Sequence, residues 1–202
     1  MKYKVAFIPE GYYHIFSHAV GFENIFLEDE NYHFFLRQFV KYICPVADTY
    51  AWCLMPNHFH FLIKVKAKNE LNIPEDYSYD SHKFVMQHWS NFLNSYAKAV
   101  NKRFNRRGAL FVDQIRRAYI DSEEYLFKTI NYIHENPVKH QFRKNGQDWL
   151  FSSLHNYLDS KDNGFLAPNA KKLYAKSPFP TTEAVFCNEI DIENCLEKQL
   201  PF

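Results

Sequence analysis

The sequence predicts an α+β domain: a ferredoxin-like antiparallel sheet backed by helices, followed by an irregular C-terminal tail. Three observations predict it. Segments with two-residue alternation interleave with segments of helical period, in the order strand, helix, strand, strand, helix, strand, helix, which forms two βαβ-like halves. The 202 residues are 47% hydrophobic and 18% aromatic, with 20 Phe and 14 Tyr, enough to bury a core and to exclude a disordered or collagen-like chain. That length suits one domain with an appended tail, here divided as residues 1–158 and 159–202.

Each element has its own signal. Tyr13, Ile15 and Ser17 alternate with His14, Phe16 and His18, which reads as a strand that Gly21 breaks. Asp29-Glu30-Asn31 opens an amphipathic helix with Tyr32, Leu36, Phe39 or Val40, and Ile43 on one side, ended by Cys44-Pro45. Tyr50 to Met55 and His58 to Val65 are strands on either side of the Pro56-Asn57 break. The polar stretch from Lys66 to Asp80 reads as a long mobile loop. Val85, Trp89, Phe92, Tyr96, Val100 and Phe104 set a helical period over about residues 82–104, with Gly108 as the left-handed residue that closes it. Leu110 to Val112 and Ile115 to Ile120 are further strands. Asp121 and Glu124 have capping-box spacing, and the helix they open runs to about Asn136, where Pro137 stops it. Trp149 to Leu158 reads as a short helix or turn. Beyond Asp159, Gly164, Pro168, Pro178 and Pro180 mark the tail as irregular.

Composition also narrows the function classes. No run of about 18 uncharged apolar residues occurs, so no membrane span is expected. Met1-Lys2-Tyr3-Lys4 lacks an apolar signal region, and Cys44, Cys53, Cys187 and Cys195 form no CxxC pair, so a cytoplasmic protein with free thiols is expected. The net charge of +1 speaks against a nucleic-acid partner until it is mapped along the chain. Lys98, Lys102, Arg103, Arg106, Arg107, Arg116 and Arg117 face one acid, Asp113, a local net of +6. Lys139, Arg143 and Lys144 add to it, while residues from Ser177 onward sum to −4. A basic middle of this kind is a phosphate footprint as well as a solvated helix face. Trp89, Phe104 and Tyr119 are candidate stacking residues for bases, with Trp89 and Phe104 also on the apolar helical stripe.

Two constellations carry chemistry. In His58-Phe59-His60 the two imidazoles share one strand face, about 7 Å apart at ~3.3 Å per residue, where they can converge on one divalent ion. From spacing alone, a chance or polar surface pair is the more ordinary reading. Tyr132 and Asn136 are four apart and share a helical face. A tyrosine there also serves as core-edge packing, and an asparagine before proline also suits a helix end.

The segment Ala51-Trp-Cys-Leu-Met-Pro-Asn-His-Phe-His-Phe-Leu-Ile63 resembles the His-apolar-His (HUH) region of single-tyrosine transposases. Tyr132-Ile-His-Glu-Asn-Pro-Val-Lys-His140 resembles the Tyr-Ile-x-x-Asn-Pro-Val signature of their REP-associated branch, with supporting matches at Tyr13-His14-Ile15, Asn24-Ile25-Phe26, Arg107 to Phe111 and Trp149 to Ser153. The resemblance covers about residues 10–158. It departs near His18, where members often carry Arg, and in the tail. It implies a ferredoxin-like fold acting on single-stranded or hairpin DNA in a bacterial cytoplasm, associated with the nucleoid when bound. It implies Tyr132 as nucleophile, and His58, His60 and Asn136 as ligands of Mg²⁺ or Mn²⁺. Lys102, Arg103, Arg106, Arg107, Arg116, Arg117 and Lys139 are then the expected DNA contacts. A domesticated DNA-binding protein without cleavage and an RNA-binding ferredoxin-like module are the competing readings. Monomer and homodimer both remain open.

Overall fold

A computed structural model describes residues 5–77, 80–158 and 165–177. Its main elements run β1 (Tyr12–His18), α1 (Asp29–Tyr42), β2 (Ala47–Met55), β3 (His58–Val65), α2 (Ser81–Arg103), β4 (Arg116–Ile120) and α3 (Glu123–Lys139), with short helices α4 (Leu154–Leu158) and α5 (Ala170–Tyr174). The four strands form one antiparallel sheet in the order β2-β3-β1-β4. This is the ferredoxin-like arrangement of the expected α+β class, with α3 added after it.

The pleat of β3 sorts the sheet into two faces. Phe59 and Phe61 turn toward α1 and α2, where Phe35, Phe39, Trp89, Phe92 and Tyr96 are buried with them. The Phe39 and Phe61 rings stack with centroids 4.1 Å apart. Trp89 is therefore core, and Phe104 packs against the same cluster, whereas Tyr119 is 41% exposed. The opposite face carries His58, His60 and Leu62. Cross-strand register aligns His18 with His58 and Phe16 with His60, so the His14, Phe16, His18 face of β1 joins it.

Several element ends differ from expectation. The N-cap of α3 is Ser122, whose Oγ accepts from the Tyr125 N–H at 3.2 Å. The Asp121/Glu124 pair is therefore one residue out of register for a capping box. Pro137 does not stop α3; it lies inside the helix, near the end, and removes one backbone bond. The helix ends instead at His140, with Gln141 at φ 57 and the Phe142 N–H bonding Pro137 O at 2.9 Å, a Schellman closure. The end of α2 is built the same way. Asn105, at φ 49, takes the left-handed place assigned to Gly108, and the Arg106 N–H reaches Asn101 O at 2.8 Å.

Leu110 to Val112 form no strand, only an isolated Ala19–Phe111 bridge. In the loop after β3, Leu71 is buried and residues 75–77 make a 3₁₀ turn. Part of the stretch expected to be an irregular tail is ordered against the core. The Phe165 ring lies 5.6 Å from those of Phe39 and Trp52, and Ala167 N–H bonds Thr49 O at 2.7 Å. α5 follows, with Ala170 and Tyr174 buried. A linear reading stops at Asp159 because the surface these later residues cover belongs to β2 and α1, more than a hundred residues earlier. The acidic residues from Glu183 onward, with Cys187 and Cys195, lie outside the described residues; Cys44 and Cys53 are free thiols.

Candidate active site

α3 lies across the sheet face that α1 and α2 leave open. It is tied to β2 through Ser153, whose Oγ accepts from the Trp52 N–H at 2.8 Å and sits 2.8 Å from His134 Nε2. His134 and Tyr132 are two apart, so the bond on one side of the helix sets the side chains on the other. Tyr132, 4% exposed, meets His60 edge-on with ring centroids 5.5 Å apart. The His58 and His60 rings are 5.1 Å apart. Asn136, one turn beyond Tyr132, places Oδ1 3.0 Å from His58 Nε2 and bonds back through Nδ2 to Tyr132 O at 3.3 Å. The four residues singled out from two distant motifs thus come together.

Three histidines join them without having been assigned a part, and Lys139, expected among the DNA contacts, joins them too. His14 Nε2 lies 2.9 Å from His60 Nδ1. The His18 ring stacks on His58 at 4.7 Å, and His140 meets His58 edge-on at 4.8 Å. Lys139 Nζ stands 4.7 Å from the centre of the Tyr132 ring. The signal for His14 and His18 was the alternation of β1, which becomes informative only once its register against β3 is known. His140 and Lys139 reach the site because α3 continues past Pro137.

Burial without a carboxylate keeps this cluster neutral. It lowers His14 to about 3; it also lowers His18 to about 4, with help from Arg116 and His140. His58 and His60 are held well below the usual imidazole value by burial and then by their neighbouring histidines. Neutral imidazole is the form that binds metal. The donor set fits a divalent ion. His60 Nε2 is buried with no hydrogen-bond partner. His58 lies 2.8 Å from Asn57 Oδ1 through Nδ1 and 3.0 Å from Asn136 Oδ1 through Nε2. A neutral imidazole has one N–H, so His58 can donate to one of these amides while its other nitrogen keeps a lone pair that can serve a cation. Among the described residues no three of His, Cys, Asp or Glu group as metal ligands.

The basic residues separate into two groups. Arg103 pairs with Glu28 at 2.8 Å, Arg106 with Glu23, and Arg116 with Asp113 at 3.2 Å. Arg117 is 5% exposed, bonded to Val5 O, with its guanidinium 5.0 Å from the Phe7 ring centre. It is a structural residue beneath the N-terminal segment, not part of a surface stripe. Lys98, Lys102 and Arg107 are exposed, with no ion-pair partner among the described residues. The +6 of the linear map therefore overstates the free positive charge, because Glu23 and Glu28 come from a distant part of the chain.

No protein-family model matches the chain. Over 110 residues it is 27% identical to a Haemophilus influenzae protein provisionally named a REP-associated tyrosine transposase, a match that covers 54% of this chain and 59% of that protein. The chain thus spans less than two thirds of that relative's length. A solved structure of a REP-associated tyrosine transposase bound to a REP hairpin has the same fold, with a TM-score of 0.59 at 16% identity, over 83% of this chain and 97% of that one. Among the described residues no helix is long and apolar enough to cross a membrane. By one relative's sequence and another's fold, the chain is similar to the REP-associated tyrosine transposases, the family its two motifs resemble.

Proposed function

We propose that the chain is a metal-dependent endonuclease and strand transferase acting on single-stranded DNA at hairpin or palindromic repeats through a covalent phosphotyrosine. The observation that carries this reading is the placement of Tyr132 against His60, with Asn136 on His58 one turn later. The similar proteins supply the substrate class. His58, His60 and Asn136 would hold Mn²⁺ or Mg²⁺, which when bound polarises the scissile phosphate and orients it for in-line attack; the two imidazoles favour Mn²⁺.

Tyr132 Oη attacks phosphorus. The Oη–P bond forms as one backbone P–O bond breaks, the phenol loses its proton, and the departing sugar oxygen leaves as a hydroxyl. Attack by a sugar hydroxyl on the phosphotyrosine reverses these steps and rejoins a strand. The His14–His60 bond and the Asn136–Tyr132 back-bond hold the reacting groups in register. Lys139 Nζ, 4.7 Å from the centre of the Tyr132 ring, supplies positive charge near the reacting phenol. Burial of Tyr132 excludes bulk water, which protects the phosphotyrosine from hydrolysis.

End-labelled hairpin DNA incubated with the protein and Mn²⁺ is expected to give a denaturation-resistant adduct, lost on adding chelator and in His60→Ala. Hairpin binding with no adduct under any divalent ion would overturn the strand-transferase reading in favour of a DNA-binding role. Equal affinity for RNA, unchanged by His58→Ala, would favour an RNA-binding module. Salt dependence tests the revised charge map. Three free cations on a single strand give a log–log slope near −2 at ~0.7 per contact, against about −4 for six. Arg117→Ala is expected to leave that slope unchanged and to lower stability by about 1–3 kcal/mol through the loss of a buried charged donor.

A further inference from the structure

Of the three cations without an ion-pair partner among the described residues, Lys98 lines a groove, and Lys102 and Arg107 adjoin its walls in the sequence. Its walls are the second half of α2 and residues 108–114, around a cavity of about 520 Å³ that Lys98 lines. Lys102 follows one turn along α2, and Arg107 immediately precedes the wall. Ala97, Phe111 and Val112 give the groove an apolar and aromatic side, and Asn94 and Gln114 also line it. Asp113, the acid among the lining residues, is already paired with Arg116.

The wall is held in place. Val20 N–H bonds Leu110 O and Val112 N–H bonds His18 O, both at 3.0 Å. Asn101 Nδ2 bonds Gly108 O at 2.9 Å, where Gly108 turns at φ 91. Because His18 stacks on His58, the groove is one hydrogen bond away from the histidine cluster. Beside it, Phe22 stands 100% exposed on a turn that Arg106 grips through Glu23.

We propose that this groove holds one unstacked base of single-stranded DNA, with the adjacent phosphates on Lys98, Lys102 and Arg107. The proposal rests on the reading of the chain as a DNA-acting protein and assigns it a strand-binding subsite outside the Tyr132 centre. An aromatic and apolar wall matches the face of a base, the lining amides match its donors and acceptors, and exposed cations on and beside the wall match the adjacent phosphates. A free inorganic anion would gain nothing from the apolar wall, and an apolar peptide nothing from the three cations. The volume lies within the roughly 300–1,000 Å³ usual for small-ligand sites.

The test titrates the full chain with poly(dT) and with an abasic strand of equal length at several salt concentrations. Wild type is expected to bind poly(dT) roughly tenfold tighter than the abasic strand, the effect of one stacked base. Phe111→Leu, which keeps an apolar contact with the core but removes the ring, and Val112→Ala on the exposed wall are each expected to erase most of that preference. Lys98→Ala, Lys102→Ala and Arg107→Ala are expected to weaken both strands alike, each flattening the salt slope by about 0.7. Equal affinity of wild type for the two strands, or a preference that survives both wall variants, overturns the proposal. If hairpin binding and the Mn²⁺-dependent adduct persist in that case, the groove alone fails. If wild type binds no DNA, the functional reading fails with it.

Discussion

Tyr132→Phe is expected to abolish the covalent protein–DNA adduct while leaving the fold and hairpin affinity nearly intact. The loss is complete, because phenylalanine has no oxygen with which to form the phosphoester. The stability cost is that of one hydroxyl, about 0.5–1.5 kcal/mol. The ring keeps its place against His60 and His14, whose centroids lie 5.5 and 5.7 Å away. Two other tyrosines define what a surviving adduct would mean. Tyr119 pairs in register with Tyr13 on the sheet face turned toward α1 and α2, away from the histidines. Tyr125 is two turns earlier on α3, about 10 Å along the axis. An adduct that persists in Tyr132→Phe and maps to Tyr125 would overturn the assignment and mean that α3 slides by two turns when DNA binds.

The largest expected effect on stability comes from the neighbouring strand position. Phe61→Ala is expected to cost about 3–5 kcal/mol, by removing a ring from a closed aromatic cluster and leaving a cavity that cannot collapse. Phe61 is fully buried and stacks on Phe39, with Phe35, Phe59 and Trp89 around it. For a domain of this size that corresponds to a melting temperature lower by about 10 °C. The contrast is with His60→Ala, one residue away on the opposite face, which is expected to remove the adduct at a much smaller thermal cost. A Phe61→Ala protein that melts within about 3 °C of wild type would mean that the α1/α2 face of the sheet is not the main core. Equal thermal losses for the two variants would mean that the His face carries structural weight as well.

Much of the fold was legible because its signals are local. Alternation in β1 and β3, the helical stripe Val85 to Val100 and the Pro56-Asn57 break each depend on residues within a few positions. β3 was read to its exact ends. Helix ends were less legible, for a shared physical reason. α2 and α3 both close with a left-handed non-glycine residue, Asn105 and Gln141, so the glycine and proline that normally mark a stop were misleading. The misreading at Pro137 matters for function, since the extra residues carry Lys139 and His140 into the site.

The sequence by itself determined the α+β class, the order of the main elements, and the chemical types at the site: a His-x-His strand face and a Tyr–Asn helical face. It could do so because a side chain's facing within one strand or helix follows from backbone period alone. Tertiary structure decided what these faces meet. Register against β3 recruited His14 and His18, and desolvation left all of the site's imidazoles neutral. Long-range pairing with Glu23 and Glu28 removed two cations from a stripe that looked continuous, and burial removed Arg117. Pairing and burial are properties of neighbours in space, and no spacing along the chain encodes them.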